Sequence, residues 1–166
     1  MIRLGFIGLG WWGNELGKAA QTLSSKISIG GCHSLSPEEM QQFSAKFKTK
    51  IYTKFEEILS DSEINGVVFA TPHSQHAGQV IKAAKAGKHI FVEKPLALNT
   101  ADAKSAAEYC DNHNVVLAVG HNRRFSPAAK ELSKWINANR FGKLLHVEEF
   151  CSSEIVSESK EIFLEA

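Results

Sequence analysis

IGLGWWG, at residues 7–13, is the most informative stretch of this 166-residue chain. The string GxGxxG alone is common by chance, but here it follows an apolar strand and opens a segment whose apolar residues have helical spacing. In that setting Gly8 allows a tight turn, Gly10 lets the backbone approach a pyrophosphate, and Gly13 lets the helix pack close to the strand. The pattern predicts a dinucleotide-binding turn. The alternative is a glycine-rich turn that serves only packing.

Strand and helix signals alternate along the rest of the chain. Strands are predicted at residues 3–7, 27–32, 50–52, 66–70, 89–92 and 115–119, and helices at residues 12–23, 37–47, 55–59, 75–86, 101–113 and 127–138. An alternation of strands and helices implies right-handed crossovers and a parallel sheet with helices on both faces. The predicted fold class is therefore α/β, a doubly wound parallel sheet of the Rossmann type, over residues 1–125.

Local signals support these boundaries. Ser36 before a proline predicts a helix N-cap, and Asn99 or Thr100 predicts another. Residues 67–69 and 115–119 are apolar on both faces, which predicts strands in the interior of the sheet.

Composition narrows the class of partner. The chain has 19 basic and 18 acidic residues and a formal net charge of +1, so no bulk charge favours nucleic acid or an anionic membrane. Cys32, Cys110 and Cys151 are far apart and form no CxxC pair, which argues against a disulfide framework or a zinc site. No apolar stretch approaches the roughly 18 residues of a membrane helix. We expect a soluble cytoplasmic protein that recognises a small ligand by local geometry.

Polar residues follow most of the predicted strands. In doubly wound sheets, ligands bind outside the carboxyl ends of the strands. The residues at those ends are Gly8 to Trp12, His33 and Ser34, then Thr71, Pro72, His73 and His76, then Glu93, Lys94 and Pro95, and finally His121, Asn122 and Arg123.

These segments resemble the Gfo/Idh/MocA family of NAD(P)-dependent oxidoreductases, which act mainly on sugars, inositols and related polyols. The matching segments are GLGWWG at residues 8–13, ATPHSQH at 70–76, FVEKPLA at 91–97 and GHNRRFSP at 120–127. The resemblance covers the chain to about Phe150, and EKP is its most specific part. It implies hydride transfer between a nicotinamide cofactor and a sugar, an inositol or a related polyol. The alternative is a dinucleotide-binding module or truncated remnant without turnover.

The resemblance also implies roles for individual residues. It implies that Gly10, Trp11 and Trp12 approach the pyrophosphate, that Thr71, Pro72 and His76 line the dinucleotide, and that Glu93 reaches the nicotinamide side. By their positions at the strand ends, the further candidate cofactor contacts are Gly8, Gly13, Ser34, His73, Lys94, Asn122 and Arg123. The resemblance places Lys94 at the substrate hydroxyl as the catalytic residue, and Lys94 precedes a proline, which favours extended backbone there. Two alternatives remain: Glu93 and Lys94 as a solvated charge pair, and the two tryptophans as cover for the first helix.

The choice between NAD and NADP depends on the loop after the second strand. NAD-binding members of this fold usually carry an acidic residue about 20 positions after the glycines, but no carboxylate precedes Glu38 here. This slightly favours NADP, with His33, Ser34 or Ser36 as donors to a 2′-phosphate. No arginine is present in the loop to bind that phosphate, so both cofactors stay open. His73 and His76 alone are poor evidence for a metal, and none is expected.

After Gly142 the pattern changes. Residues 143–151 alternate partly and predict the first strand of a second domain, so that residues 126–166 would be a linking helix and the start of an incomplete C-terminal domain. The family's second domain supplies most substrate contacts and usually the oligomer interface. The resemblance therefore implies a homo-oligomer as the candidate assembly and a substrate site that this chain does not complete.

Overall fold

Six strands form one parallel sheet in the computed structural model of the chain, which describes residues 1–148. The strands are β1 (Ile2–Ile7), β2 (Ile27–His33), β3 (Lys50–Ile51), β4 (Gly66–Phe69), β5 (His89–Val92) and β6 (Leu117–Val119). The helices are α1 (Trp11–Thr22), α2 (Pro37–Phe47), α3 (Phe55–Ser60), α4 (His76–Lys85), α5 (Thr100–Asn112) and α6 (Pro127–Asn137). The strand order is β3-β2-β1-β4-β5-β6, which confirms the predicted doubly wound parallel sheet.

The strands end in register at one edge of the sheet. Ile7 lies opposite His33 on one side and Phe69 on the other, and Phe69 in turn pairs with Val92. Because the strands are parallel, the loops that follow β1, β2, β4 and β5 all emerge at this carboxyl edge.

Helices cover both faces of the sheet. Phe6 packs with Phe43 and Phe47 of α2 in one buried cluster, whereas its neighbour Ile7 belongs to the opposite cluster with Val80 of α4. Successive residues of a strand point to opposite faces, so the apolar run of β1 supplies both cores.

Two helix starts have the expected caps. Ser36 Oγ accepts a hydrogen bond from the Glu39 amide at 3.2 Å, and Asn99 Oδ1 accepts one from the Asp102 amide at 2.9 Å. Each cap satisfies one of the backbone donors that a helix leaves free in its first turn.

The interior position expected for residues 115–119 is wrong. β6 is the edge strand of the sheet formed by the described residues, and Val116 just before it is 63% exposed. A run of apolar residues indicates a strand, but it does not specify which neighbours the topology provides.

Two cysteines are buried and unpaired. Cys32 in β2 is fully buried and its Sγ lies 4.0 Å from the carbonyl oxygen of Met40 in α2, while Cys110 lies in α5. Burial raises the pKa of the Cys32 thiol to about 11, and it raises the pKa of Cys110 as well. Cys151 lies outside the described residues.

The chain has two compact units, Met1–His121 and a second one that begins at Asn122. Its helix α6 is capped by Ser126 Oγ, which accepts from the Ala129 amide at 3.2 Å. Residues 143–148 are exposed and have no strand assignment, and the rest of the strand expected at 143–151 lies outside the described residues. No helix within residues 1–148 is both long and apolar enough to cross a bilayer.

Candidate functional site

A cleft of about 630 Å³ opens at the carboxyl edge, where β1, β2 and β4 end. Small-molecule sites typically have roughly 300–1,000 Å³. The lining residues are Ile7, Gly8, Leu9, Gly10, His33, Ser34, Leu35, Glu39, Phe55, Ala70, Thr71, Pro72, Ser74, Gln75, Gly78, Gln79 and Lys82. This is the crevice in which doubly wound sheets bind their ligands.

Two glycines of the first turn are required by the backbone. Gly8 has φ of +85°, and a Cβ there would lie 2.5 Å from the carbonyl oxygen of Ala70. A Cβ on Gly13 would lie 2.1 Å from the carbonyl oxygen of Gly8. Neither position can take a side chain without moving backbone atoms.

Gly10 differs from both. Its φ of −60° and ψ of −165° suit any residue, and the nearest atom to a Cβ there would be Glu39 Oε1 at 3.7 Å, an ordinary contact. The chain's own packing therefore does not require glycine at this position. Gly10 lines the cleft, so the missing side chain leaves room for a ligand to approach the backbone.

Helix α1 begins at this turn without a side-chain cap. Gly10 is its N-cap and supplies no acceptor, and the first turn carries no acidic residue. The first-turn amides and the positive end of the helix dipole together favour an anion at this position.

The two tryptophans leave the cleft open. Trp11 is 68% exposed, Trp12 is half-buried, their ring centroids are 5.0 Å apart, and neither residue lines the cleft. Trp12 Nε1 is buried with no hydrogen-bond partner among residues 1–148. A buried donor without a partner is costly in a protein interior, and none of the described residues offers this indole N–H an acceptor.

At the end of β2, the structure brings a carboxylate into the cleft. Ser34 Oγ donates to Glu39 Oε2 at 2.5 Å, and both residues line the cleft. His33 also lines it, with Nδ1 3.0 Å from the carbonyl oxygen of Tyr52. The sequence predicted Ser34 as a contact but missed Glu39, because its carboxylate reaches the loop from the first turn of α2.

After β4, the predicted residues separate into two groups. Thr71 and Pro72 line the cleft, and Thr71 Oγ1 donates to Gln79 Oε1 at 2.6 Å. His73 is exposed and is not among the lining residues.

His76 lies beneath the cleft surface. Its ring is fully buried, with Nδ1 2.7 Å from the carbonyl oxygen of Pro95 and Nε2 2.9 Å from that of Thr71. Its role along the dinucleotide stays a prediction. Both ring nitrogens face backbone oxygens, so the imidazole joins the loops after β4 and β5 and presents no free polar atom to the cleft.

In the loop after β5, Glu93 is buried and Lys94 is exposed. Glu93 is only 7% exposed and its Oε2 accepts from the Lys94 amide at 3.2 Å. A Cβ on Gly120 would lie 2.6 Å from Glu93 Oε1, so Gly120 makes space for this carboxylate. Lys94 is exposed, precedes a cis peptide bond to Pro95, and has no ion pair among the described residues. Neither Glu93 nor Lys94 lines the cleft.

Asn122 and Arg123 belong to the unit that starts at Asn122, where they form part of the 3-10 turn Asn122–Phe125 and are exposed. Their role as cofactor contacts stays a prediction.

One face of α4 contributes lining residues that the sequence reasoning missed. Gln75, Gln79 and Lys82 follow at spacings of four and three, which places them on one side of a helix. Lys82 Nζ lies 3.2 Å from Glu56 Oε1, and the pKa of Glu56 is lowered by a hydrogen bond from its own amide and by Lys82. The signal available in the sequence was the helical spacing of these three polar residues after Pro72.

No group of three or more His, Cys, Asp or Glu side chains within residues 1–148 is placed to hold a metal ion.

Comparison with known proteins identifies the family. Residues 2–121 match the Gfo/Idh/MocA family, described as an oxidoreductase family with an NAD-binding Rossmann fold. The scyllo-inositol 2-dehydrogenase (NAD(+)) of Bacillus subtilis is 37% identical over 115 residues, covering 66% of this chain and 34% of that protein. The myo-inositol 2-dehydrogenase of Thermotoga maritima is 30% identical over 143 residues, covering 86% of this chain and 42% of that protein. The matched part is thus less than half of either relative.

Solved structures of dehydrogenases have a similar fold. The WlbA dehydrogenase of Bordetella pertussis, in complex with NADH and UDP-GlcNAcA, matches with a TM-score of 0.82 and 27% identity over 86% of this chain and 41% of that one. A levoglucosan dehydrogenase in complex with NADH and levoglucosan matches with a TM-score of 0.82 and 28% identity over 87% of this chain and 41% of that one. The chain therefore belongs to the Gfo/Idh/MocA oxidoreductase family, whose NAD-binding Rossmann fold its residues 2–121 adopt.

Proposed function

We propose that this chain is the dinucleotide-binding domain of an oxidoreductase that transfers hydride between a nicotinamide cofactor and a sugar, an inositol or a related polyol. The observation that carries the proposal is the space at Gly10. The fold does not need glycine at this position, but a ligand in the cleft would need the room that a side chain would fill. The inositol dehydrogenases among the relatives support the substrate class.

The residues of the cleft fit a nicotinamide dinucleotide. The amides at the start of α1 and the bare backbone of Gly10 would hold the pyrophosphate, and Ser34, Thr71 and Pro72 would contact the adenosine half. When bound, the cofactor supplies the acceptor or donor of hydride.

Lys94 is the proposed catalytic residue. Its ammonium is exposed after β5 and has no ion pair among the described residues, so it is free to hydrogen-bond a substrate hydroxyl. There it would accept the hydroxyl proton during oxidation, when its amine is neutral, or return it during reduction. Glu93 accepts from the amide of Lys94 and so orients the backbone from which the ammonium projects.

A second candidate is a module that binds the dinucleotide without turnover. The cleft is formed by the ends of β1, β2 and β4, with no lining residue from the loop after β5, so the adenosine and pyrophosphate contacts proposed here do not depend on the proposed catalytic segment. Turnover with a panel of sugars and polyols, followed by nicotinamide absorbance, separates the two functions.

We also propose a cytoplasmic location and a homo-oligomer. The unpaired buried thiols Cys32 and Cys110 support a reducing compartment. Light scattering of the purified chain measures its assembly: association of the 166 residues would support the homo-oligomer, and a monomer would restrict any interface to the part of the family's second domain that lies beyond these residues.

Calorimetric titration of the 166-residue chain with NAD⁺, NADH, NADP⁺ and NADPH tests the binding proposal. We expect at least one of them to bind, and Gly10→Ala to remove binding while lowering the free energy of unfolding by no more than about 1 kcal/mol. Ser25→Ala, in the exposed turn after α1, is the matched control and should bind as the parent does. Absence of binding to all four dinucleotides would refute the proposal.

A further inference from the structure

Glu39 has an unusual position for a residue of its helix. It is the third residue of α2, after the N-cap Ser36, and a glutamate there commonly turns back to accept from the N-cap amide. Here the Ser36 amide points instead to Ser34 Oγ at 3.4 Å, and the Glu39 carboxylate accepts from that same Ser34 hydroxyl at 2.5 Å. The carboxylate is therefore directed to the loop after β2 and lines the cleft.

The carboxylate also lies close to the glycine turn. Glu39 Oε1 is 3.7 Å from the position that a Cβ on Gly10 would occupy. A dinucleotide whose pyrophosphate contacts this turn has its adenosine ribose near the end of the second strand. Glu39 therefore faces the place where the ribose hydroxyls would lie.

Few positively charged side chains line the cleft together with this carboxylate. Lys82 is the sole lysine or arginine among the lining residues, and its Nζ is paired with Glu56 at 3.2 Å. His33, the remaining lining residue with a titratable side chain, has Nδ1 directed to the carbonyl oxygen of Tyr52. A 2′-phosphate, with a charge of about −1.5 to −2, would meet Glu39 without an arginine to bind it.

We propose that Glu39 makes this cleft selective for NAD(H) over NADP(H), an inference that rests on the proposed dinucleotide site. Its carboxylate accepts hydrogen bonds from the ribose hydroxyls and repels a 2′-phosphate, so it takes the role of the acidic residue that is missing directly after β2. Ser34 holds the carboxylate at the cleft. The slight preference for NADP expected from the sequence is then reversed, because the acidic group arrives from α2.

The test is titration of the 166-residue chain and two variants with NAD⁺ and NADP⁺. The parent should bind NAD⁺ at least about 10-fold more tightly, in line with one or two hydrogen bonds to a charged group. Glu39→Gln should bring the two affinities within about 3-fold of each other. Glu38→Gln is the matched control: Glu38 is the exposed neighbour on the same helix turn, it does not line the cleft, and the parent's preference should persist.

Each outcome bears on one proposal or both. Equal affinities or an NADP⁺ preference in the parent would overturn the role of Glu39 while leaving the dinucleotide site intact, as would an unchanged ratio in Glu39→Gln. No binding of either dinucleotide would overturn the proposed function and this inference together. If Glu39→Gln does not fold, the parent alone still tests the inference. Its preference for NAD⁺ should shrink from low to high salt, because salt screens the repulsion between Glu39 and the 2′-phosphate. A ratio of affinities that stays constant with salt would overturn the inference.

Discussion

The two halves of the carboxyl edge differ in how their polar groups are partnered. In the half proposed to hold the adenosine, formed by the ends of β1, β2 and β4 and called the adenosine half, Ser34 is bonded to Glu39 and Lys82 is paired with Glu56. In the half proposed to hold the nicotinamide, formed by the loop after β5, the Lys94 ammonium is exposed and has no ion pair among the described residues. A preorganised set of partners suits recognition, and an unpartnered ammonium suits proton transfer. We infer that binding and chemistry are carried by separate segments of the chain.

The largest effect is expected at the turn that supports the adenosine half. Gly13→Ala would bring a Cβ within 2.1 Å of the Gly8 carbonyl oxygen, so we expect the free energy of unfolding to fall by about 3 kcal/mol or more, or the chain not to fold. Urea denaturation followed by circular dichroism measures this. Gly78→Ala in α4 is the control: a Cβ there meets nothing within 4 Å, and the helix should gain up to about 1 kcal/mol. Equal stabilities of the two variants would contradict the steric explanation.

Lys94→Ala tests whether the two halves are separable. Because Lys94 does not line the cleft, dinucleotide affinity should stay within about 3-fold of the parent's, as measured by calorimetry. Any turnover found in the substrate panel should fall by about 10²–10⁴-fold, the usual contribution of a general acid or base. Unchanged turnover would remove the catalytic role, and lost binding would assign Lys94 to the recognition surface.

His76 connects the two loops, since its ring nitrogens lie 2.7 Å from the carbonyl oxygen of Pro95 and 2.9 Å from that of Thr71. His76→Ala removes a fully buried side chain together with these polar contacts, so we expect a loss of about 2–4 kcal/mol in the free energy of unfolding and weaker dinucleotide binding. His73→Ala is the matched control, because His73 is exposed and should change stability by less than about 0.5 kcal/mol. If both variants behave alike in thermal melts, the loops do not depend on His76.

The smallest effect concerns Glu56. Its pKa is lower in the folded chain, because its own amide and Lys82 stabilise the charged form. Such a carboxylate stabilises the fold above its unfolded pKa, and this contribution is lost as the pH falls through its folded pKa. Glu56→Gln should therefore cost less than about 0.5 kcal/mol at pH 7, since solvent screens the exposed pair, and nothing in strong acid. Denaturation of the parent and of Glu56→Gln across the acid range measures the difference in their free energies of unfolding. A larger difference in acid than at pH 7 would contradict a lowered pKa of Glu56.

Those elements that short-range signals specify were predictable from sequence. Helix α2 begins at Pro37 and ends at Phe47 as predicted, because Ser36 supplies an N-cap and a proline follows it. The strand, glycine turn and helix at the amino terminus were predictable for a similar reason, since Gly8 and Gly13 have backbone requirements that few other residues meet.

The remaining features depend on tertiary structure. Glu39 reaches the cleft only because α2 packs so that its first turn faces the glycine turn, and no local pattern specifies that direction. His76 has the sequence character of a polar helix start, yet two backbone oxygens from separate loops make a buried imidazole favourable there. The apolar residues of β6 indicate a strand, but its place at the edge is set by strand order.

The buried thiol of Cys32, in the strand that ends at the adenosine half, can report the local opening of that strand. At neutral pH, a thiol with a pKa of about 11 holds very little thiolate, so alkylating reagents should modify it only when β2 separates from its neighbours. The rate at which mass spectrometry finds the Cys32 peptide alkylated then measures local unfolding. A bound dinucleotide should slow that rate in proportion to its occupancy, so the alkylation rate also measures cofactor affinity.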